Sequence, residues 1–258
     1  MSLAGVVLAA GAGTRLRPLT SLRPKALCPV GTVPLLDLAL ERLAPLVSSS
    51  AVNAHHHATQ VVAHAGSRVH VSVERGEALG TAGALGALRP WLDGRDVLVT
   101  NADAYLPSGL GSFVQGWDGD RLRLLCSVVD GAGDFAAVRP GLRYVGACLL
   151  PWRAVSALDA TPSGLYEVLW RREPTALELV TLEQAGVPPV AFDCGTVRSY
   201  LAANLHASGG APVVDPSAVV EGTVERCVVW DGAVVAAGEH LVDAVRAGTR
   251  TTPLTATP

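Results

Sequence analysis

The first nine residues after the opening Met-Ser, "LAGVVLAAG" (3–11), contain no polar side chain. A short continuous apolar run predicts a strand buried on both faces. The period then changes. "PLLDLALERLAPL" (34–46) opens on proline and places Leu35, Leu36, Leu40 and Leu43 along one side of a helix. "SAVNAHH" (50–56) predicts a strand running into a loop, and "ATQVVAHAG" (58–66) a helix closed by Gly66. "RVHVSVE" (68–74) alternates strictly, as a strand does. "TAGALGALRPWL" (81–92) predicts a helix as far as Pro90, despite its glycines, and "DVLVTNAD" (96–103) another buried strand with a polar end. Strand and helix alternate, so the fold class is α/β, with a doubly wound, mostly parallel mixed sheet. Ligands of such sheets bind at the carboxyl ends of strands, where the glycine loop, "ERGEALGTAG" and "TNAD" all fall.

The middle is less regular. "RLRLLCSVV", "DFAAVRP" and "RYVGACLL" predict three strands, with room for antiparallel pairing. Helical stretches are predicted around "GLYEVLWRR" and "TALELVTLEQAG", then a strand in "VPPVAFDCGT" that ends at Asp193, then a helix over "VRSYLAANLHA". After "SGGAP" (208–212) the character shifts to valine, alanine and glycine. Two units follow from this: residues 1–207, and a short C-terminal β extension over 208–258. In the extension small aliphatics recur about every six residues. That period fits hexapeptide β-helix coils and equally a few irregular strands packed on the main unit.

Composition narrows the class. With 258 residues, 49% of them hydrophobic, the chain can bury a large core, and with 5% aromatics that core is built from Val, Leu and Ala. The net charge of -3 argues against nucleic acid as a partner. Five scattered cysteines form no CxxC pair or metal spacing, which suits reduced thiols in the cytoplasm. No apolar run is long enough to span a bilayer, and no basic segment precedes the first one, so neither a membrane nor a signal peptide is expected.

Against that near-neutral background, "LAAGAGTRLRPLTSLRPKAL" (8–27) sets Arg15, Arg17, Arg23 and Lys25 beside a glycine loop, with no acid among them. Cations next to exposed backbone N–H groups point to a polyanion. A dinucleotide fingerprint fits Gly11 and Gly13, but Leu16 stands at its third glycine and Pro18 would break the helix that must follow. A Walker loop would need a GK[ST] ending, which is absent. A longer nucleotide loop of the form GxGTRLxPLTxxxPKxL accounts for every residue.

That string resembles the signature of the nucleotide-sugar pyrophosphorylases, the sugar-1-phosphate nucleotidylyltransferases. "VNAHHHATQV", "ALGTAGAL", "TNADAYL" and "FDCGTVRSYLAAN" match in the same order, so the resemblance covers about residues 3 to 206. It is strongest to the mannose-1-phosphate guanylyltransferase and N-acetylmuramate-1-phosphate uridylyltransferase types. It implies a Rossmann-like nucleotidyltransferase fold, an NTP and a sugar 1-phosphate as partners, and Mg²⁺. It places Arg15 against the departing phosphates, Lys25 on the α-phosphate, and Asp103 and Asp193 on the metal. Arg15, Lys25 and Asp103 would be the catalytic residues. The nucleotide would lie on Ala10, Gly11, Ala12, Gly13, Thr14 and Arg15, with its base on Gly80, Thr81, Ala82 and Gly83. The sugar phosphate would meet Asn101, Gly146 and Glu167. Relatives carry an acidic-Lys-Pro motif for that phosphate; here the nearest string is "FAAVRPG", which offers Arg139.

Other residues have plainer readings. Adjacent histidines 55–57 point in different directions, which suits a strand-to-helix turn better than a metal site, and Asn53 reads as structural. Each aspartate alone could cap a loop, and Glu167 could be an exposed helix acid. The base loop resembles the GTP form, with UTP or dTTP open, and a mannose-1-phosphate-like sugar is slightly favoured. Two rivals stand: an NAD-type oxidoreductase, opposed by Leu16 and Pro18, and a sugar-nucleotide-binding regulatory subunit without activity, opposed by the intact Arg15, Lys25, Asp103 and Asp193. A homodimer through the valine-rich tail is expected; the tail offers no residue for the chemistry, and a soluble chain cut after Ala207 is expected still to bind nucleotide.

Overall fold

In a computed structural model, residues 2–253 are described apart from 173 and 187. Val187, which opens the strand expected over 187–196, and the last five residues of the expected extension lie outside the described residues. Seven strands form the central sheet: β1 (Leu3–Leu8), β2 (Ser49–Ala54), β3 (His70–Val73), β4 (Asp96–Asn101), β5 (Leu122–Val128), β6 (Leu142–Leu150) and β7 (Leu177–Thr181). Their order is β7-β5-β6-β4-β1-β2-β3, and every pairing is parallel except those of β6 with β4 and β5. This is the doubly wound mixed sheet. Leu8 pairs with both Asn53 and Asn101, so the carboxyl ends of β1, β2 and β4 lie level.

Apolar runs appear because both faces are covered. Val6, Val97, Val99, Leu124 and Cys148 point into one core with Leu85, Leu88 and Leu92 of helix α3 (Gly80–Leu92). Their neighbours Val7, Leu98, Leu125 and Leu149 point the other way. They meet Leu36, Ala39 and Leu43 of α1 (Leu35–Leu43) and Val61 of α2 (Ala58–Ala65). Alternation along each strand thus serves two cores. A last helix, α4 (Val197–Ala207), starts on a capping box between Thr196 and Ser199.

Three local readings change. "TALELVTLEQAG" is not a helix: Leu177–Thr181 is the edge strand β7, parallel to β5. Leu177 and Leu179 face one core and Val180 the other, so alternation and the ladder override the helical propensity of Leu, Glu and Ala. "DFAAVRP" is a turn anchored by the buried Phe135, with Val138 N and Arg139 N donating to Phe135 O at 2.9 and 2.8 Å. Helix α3 runs through Pro90 to Leu92; the proline falls in the last turn, where Asp93 N still reaches Arg89 O at 3.1 Å. "GLYEVLWRR" holds a π-type turn at Tyr166–Trp170.

The tail winds back on itself. Val213 pairs with Val228 and Val219 with Val234, each in parallel and 15 residues further on; Thr223 pairs with His240 and Val228 with Val245, 17 further on. Parallel pairing at near-constant spacing makes short coils, closed by the antiparallel strand Arg250–Pro253. The valines divide. Val213 and Val228 join Leu16, Leu19, Tyr200 and Trp230 in one core, Val229 and Val235 form a small second one, and Val214, Val219 and Val234 face solvent.

The glycines of α3 have a packing role. A Cβ added at Gly83 or Gly86 would sit 2.3 Å from the carbonyl oxygen of Thr161 or Asp159 respectively. Gly86→Ala must therefore push α3 off the 159–163 segment, at a cost of about 1–3 kcal/mol. We expect a fall in thermal midpoint of roughly 2–10 °C by calorimetry. An unchanged midpoint would contradict this close approach.

Candidate active site

The chain leaves β1 at Ala9 and turns at Gly13, whose backbone (φ 60°, ψ 33°) is left-handed. A Cβ there would lie 2.8 Å from Thr20 Cγ2, so only glycine fits, and Thr20 Oγ1 donates to Gly13 O at 2.9 Å. No α-helix follows. The loop continues in three 3-10 turns, Thr14–Leu16, Leu19–Ser21 and Lys25–Leu27, separated by Pro18 and Pro24. Leu16 and Leu19 are buried beneath it, which leaves Arg15 and Arg17 outside and returns Lys25 to the cleft.

A buried relay sets the cleft's shape. Asn53, at the end of β2, accepts from Ala9 N at 2.7 Å and donates through Nδ2 to Glu74 Oε1 at 2.7 Å. The other oxygen of Glu74 accepts from Leu79 N at 2.8 Å, one residue before α3. Three loops from three strand ends are thereby tied together. The space between them, about 210 Å³, is walled by Leu8, Ala10, Gly11, Ala78, Gly80 and Thr81, with Lys25, Asn101 and Asp103 as its polar lining.

A second, wider cleft adjoins the first at Asn101 and Asp103. The strand pair Ala104–Tyr105 and Phe192–Asp193 runs antiparallel, with Asp193 opposite Ala104 and Cys194 N donating to Asp103 O at 2.9 Å. Two aspartates 90 residues apart in sequence are thus set side by side along one wall. Each has a cation beside it. Lys25 Nζ donates to Asp103 Oδ2 in a half-buried contact, and Arg15 Nη2 lies 3.6 Å from Asp193 Oδ2, where both side chains are about two-thirds exposed. Gly146 on β6 passes close over this wall: at φ 89°, a Cβ there would meet Ala104 Cβ at 2.7 Å and Asn101 Cβ at 3.3 Å.

Arg42 holds the aspartate segment from behind. It is 8% exposed and donates to Ala104 O (3.1 Å), Leu106 O (3.3 Å) and Thr100 Oγ1 (3.2 Å). Burial pushes its guanidinium down to about 10, so it is still charged at neutral pH. Its signal in the sequence is a cation on the apolar side of α1, beside the buried Ala39 and Leu43.

The structure sorts the expected site residues. Ala10, Gly11, Gly80, Thr81 and Lys25 line the first cleft, and Arg15, Gly146 and Asp193 the second; Asn101 and Asp103 belong to both. Glu167 lines a neighbouring recess with Thr81, Asn101, Tyr144 and Trp170. Ala12, Gly13 and Thr14 shape the turn and do not line either cleft. Ala82 and Gly83 face inward, both N–H groups directed at Ser163 O (3.0 and 3.4 Å), so they hold α3 to the 159–163 segment. Arg139 stands outside both clefts, directed at Leu179 O at 3.5 Å, because the segment expected to be a strand is a turn. Arg143 is on the cleft wall instead, paired across the sheet with Ser127, which also lines it.

The histidines do not converge: His55 Nδ1 meets Glu74 O and His57 Nε2 meets Thr20 O, each at 3.2 Å. All five cysteines are buried and unpaired. Burial pushes the thiols of Cys28, Cys126 and Cys148 up to about 12, and raises those of Cys194 and Cys227 as well, so none supplies a thiolate near neutral pH. Mg²⁺ takes hard oxygen ligands and keeps several for water and phosphate. The donor set here fits it, with the Asp103 and Asp193 carboxylates facing one cleft and, among the described residues, no cluster of three metal-ligating side chains.

A glycine loop, a cation pair and a carboxylate pair lie together at the strand ends, around two adjoining clefts. Residues 4–129 match the nucleotidyl transferase family model. It is 38% identical over 130 residues to an N-acetylmuramate alpha-1-phosphate uridylyltransferase of Caulobacter vibrioides, covering 45% of this chain and 54% of that protein. It is 30% identical over 121 residues to the low-salt glycan biosynthesis nucleotidyltransferase Agl11 of Haloferax volcanii, covering 44% and 34%. The chain thus spans about half or less of the length of these curated relatives. The fold is similar to a solved structure described as a mannose-1-phosphate geranyltransferase from Thermus thermophilus, with a TM-score of 0.68, 18% identity, and 98% of this chain and 94% of that one covered. It is also similar to HddC from Yersinia pseudotuberculosis, with a TM-score of 0.64, 20% identity, and 79% and 99% covered. At these identities the likeness is one of fold. Among the described residues no helix is long and apolar enough to cross a membrane.

The Lys25–Asp103 contact has a measurable consequence. With no triphosphate present, the ammonium competes with a divalent cation for the carboxylate. Lys25→Gln is expected to bind Mn²⁺ about three- to tenfold more tightly than wild type in the absence of nucleotide, a gain of roughly 1 kcal/mol. Electron paramagnetic resonance titration reads this directly. Equal affinities would show that Lys25 does not guard Asp103.

Proposed function

We propose that the protein transfers a nucleotidyl group from an NTP to a sugar 1-phosphate, giving an NDP-sugar and pyrophosphate. The observation that carries this reading is the placement of Arg15, Lys25, Asp103 and Asp193 around adjoining clefts at the carboxyl ends of the strands. In the reaction a phosphate oxygen of the sugar 1-phosphate bonds to the α-phosphorus while the bond from that phosphorus to the bridging oxygen breaks. The electron pair leaves with pyrophosphate. No general base is required, because a phosphate monoester with a second pKa of about 6 is already ionised. The work of the protein is positioning and charge neutralisation. Backbone N–H groups of the glycine loop receive the triphosphate, Lys25 faces the α-phosphate, and Arg15 meets the β,γ-phosphates. Asp103 and Asp193 would hold Mg²⁺, which when bound offsets triphosphate charge.

Arg143 takes the role that the sequence offered to Arg139, receiving the sugar phosphate on the second cleft's wall. The sugar would extend over Gly146 and Asn101 toward Glu167. For the base we propose a purine, with GTP slightly favoured, and a mannose-1-phosphate-like sugar. The flat wall of Ala78, Gly80 and Thr81 leaves room for a purine. The uridylyltransferase relative supports UTP as the second reading. The cytoplasm is the proposed compartment, in keeping with five free thiols.

Pyrophosphate release from a matrix of NTPs against sugar 1-phosphates tests the reading, and equal kcat/KM for GTP and dTTP would remove the base preference alone. Asp103→Asn should lower kcat by about 100-fold or more. Arg143→Gln should raise the sugar-phosphate KM by roughly tenfold with nucleotide KM little changed, while Arg139→Gln leaves both near wild type.

We also propose a homodimer through the tail. The neighbouring Val219 and Val234, 51% and 42% exposed, support an apolar contact there. Light scattering should give twice the chain mass, and Val219→Lys with Val234→Lys should halve it. A monomer in the wild type would refute this.

A further inference from the structure

The signature loop carries four cations, but only two of them reach the clefts' acids. Arg23 goes elsewhere. Its guanidinium carbon lies 4.4 Å from the centroid of the Trp230 ring, and its Nη2 donates to Asp231 Oδ1 at 2.7 Å. Both partners belong to the turn between coils of the C-terminal tail, more than 200 residues away in sequence. Trp230 is itself fixed: it is 2% exposed, and its indole N–H donates to Tyr200 Oη at 3.0 Å. The Tyr200 hydroxyl in turn donates to Pro29 O, and Asn204 Oδ1 accepts from Gly31 N at 3.0 Å. The segment 23–31 is thus pinned at one end by the tail and at the other by α4. Lys25 lies between the two pins, in the 3-10 turn closed by Leu27 N to Pro24 O at 2.8 Å and Cys28 N to Lys25 O at 3.0 Å.

We propose that Trp230 and Asp231 are positioning residues for nucleotidyl transfer, acting through Arg23 to hold Lys25 in the cleft. The inference rests on the reaction proposed above, and it gives a catalytic contribution to a tail whose sequence offered no residue for the chemistry. Charge supports the division of labour. Arg23 is neutralised by Asp231 and covered by an aromatic ring, so it is withdrawn from the triphosphate, while Arg15 and Lys25 stay beside Asp193 and Asp103. A cation placed over an aromatic face and paired with a carboxylate fixes the backbone that carries it, and a small displacement of a catalytic group is costly.

The test uses the full chain and the variants Arg23→Gln, Asp231→Asn, their double variant, and Val235→Ala. Val235 is buried in the tail's second core, away from the clamp, so its variant weakens the coil without touching Arg23. Arg23→Gln and Asp231→Asn should each lower kcat by about tenfold with nucleotide KM within about threefold, and the double variant should be no slower than the slower single one. Hydrogen exchange at the amides of Leu27 and Cys28 should quicken in these three. Val235→Ala should lower the thermal midpoint with kcat and those two amides unchanged. Wild-type kcat in folded Arg23→Gln would overturn the proposal. So would a rise in nucleotide KM alone, which would make Arg23 a phosphate ligand, or additive losses in the double variant. If wild type releases no pyrophosphate from any substrate pair, the reaction fails and the assignment of a catalytic role to the clamp fails with it. If wild type turns over and the variants match it, only the clamp fails.

Discussion

The side-chain amide of Asn53 joins loops from different strands: its oxygen takes the N–H of Ala9 and its nitrogen donates to Glu74, which then accepts the N–H of Leu79. These groups sit at strand ends that the sheet register has already brought level. Asn53 and Glu74 are both nearly buried, so an unmade bond here would leave a desolvated polar group, at a cost of about 1–3 kcal/mol. The glycine loop and the start of α3 therefore have a defined separation, and that separation is the first cleft. A loop made of small residues has little shape of its own; this relay supplies it.

The same logic governs the charges. Asp103 and Asp193 come together only because a two-residue antiparallel ladder spans the mouth of the sheet. Arg42 holds that ladder through two carbonyl oxygens and a hydroxyl, all neutral, and so leaves both aspartates free to face the cleft. Close approach of Gly146 to Ala104 and Asn101 packs β6 against that wall. Carboxylates held in this way are available to a cation, and the two cations beside them are available to phosphate. The site is therefore a set of separable charges.

The C-terminal coils depend on their neighbours in the same way. Beyond a small core of their own around Val229 and Val235, they share a larger one with Leu16, Leu19 and Tyr200 beneath the signature loop. Exposed Val219 and Val234 show that valine content by itself did not say which side faces inward. The pairing interval of 15 to 17 residues did, by stacking alternate positions on one side.

The alternation of strand and helix, the glycine loop, the four loop cations and the two aspartates were all legible along the chain. Each of these rests on local chemistry: burial on both faces of a strand, small residues at a tight turn, like charges gathered at one point. Packing between distant segments settled the rest. "TALELVTLEQAG" became an edge strand because β5 offered it a ladder, and Ala82 and Gly83 turned from the cleft because Ser163 O takes their N–H groups. Arg143 rather than Arg139 reached the cleft because "DFAAVRP" folds as a turn around Phe135. Arg23 and Trp230 met across more than 200 residues, a contact that no local pattern encodes, because chain separation in sequence carries no information about which cation an aromatic ring will cover.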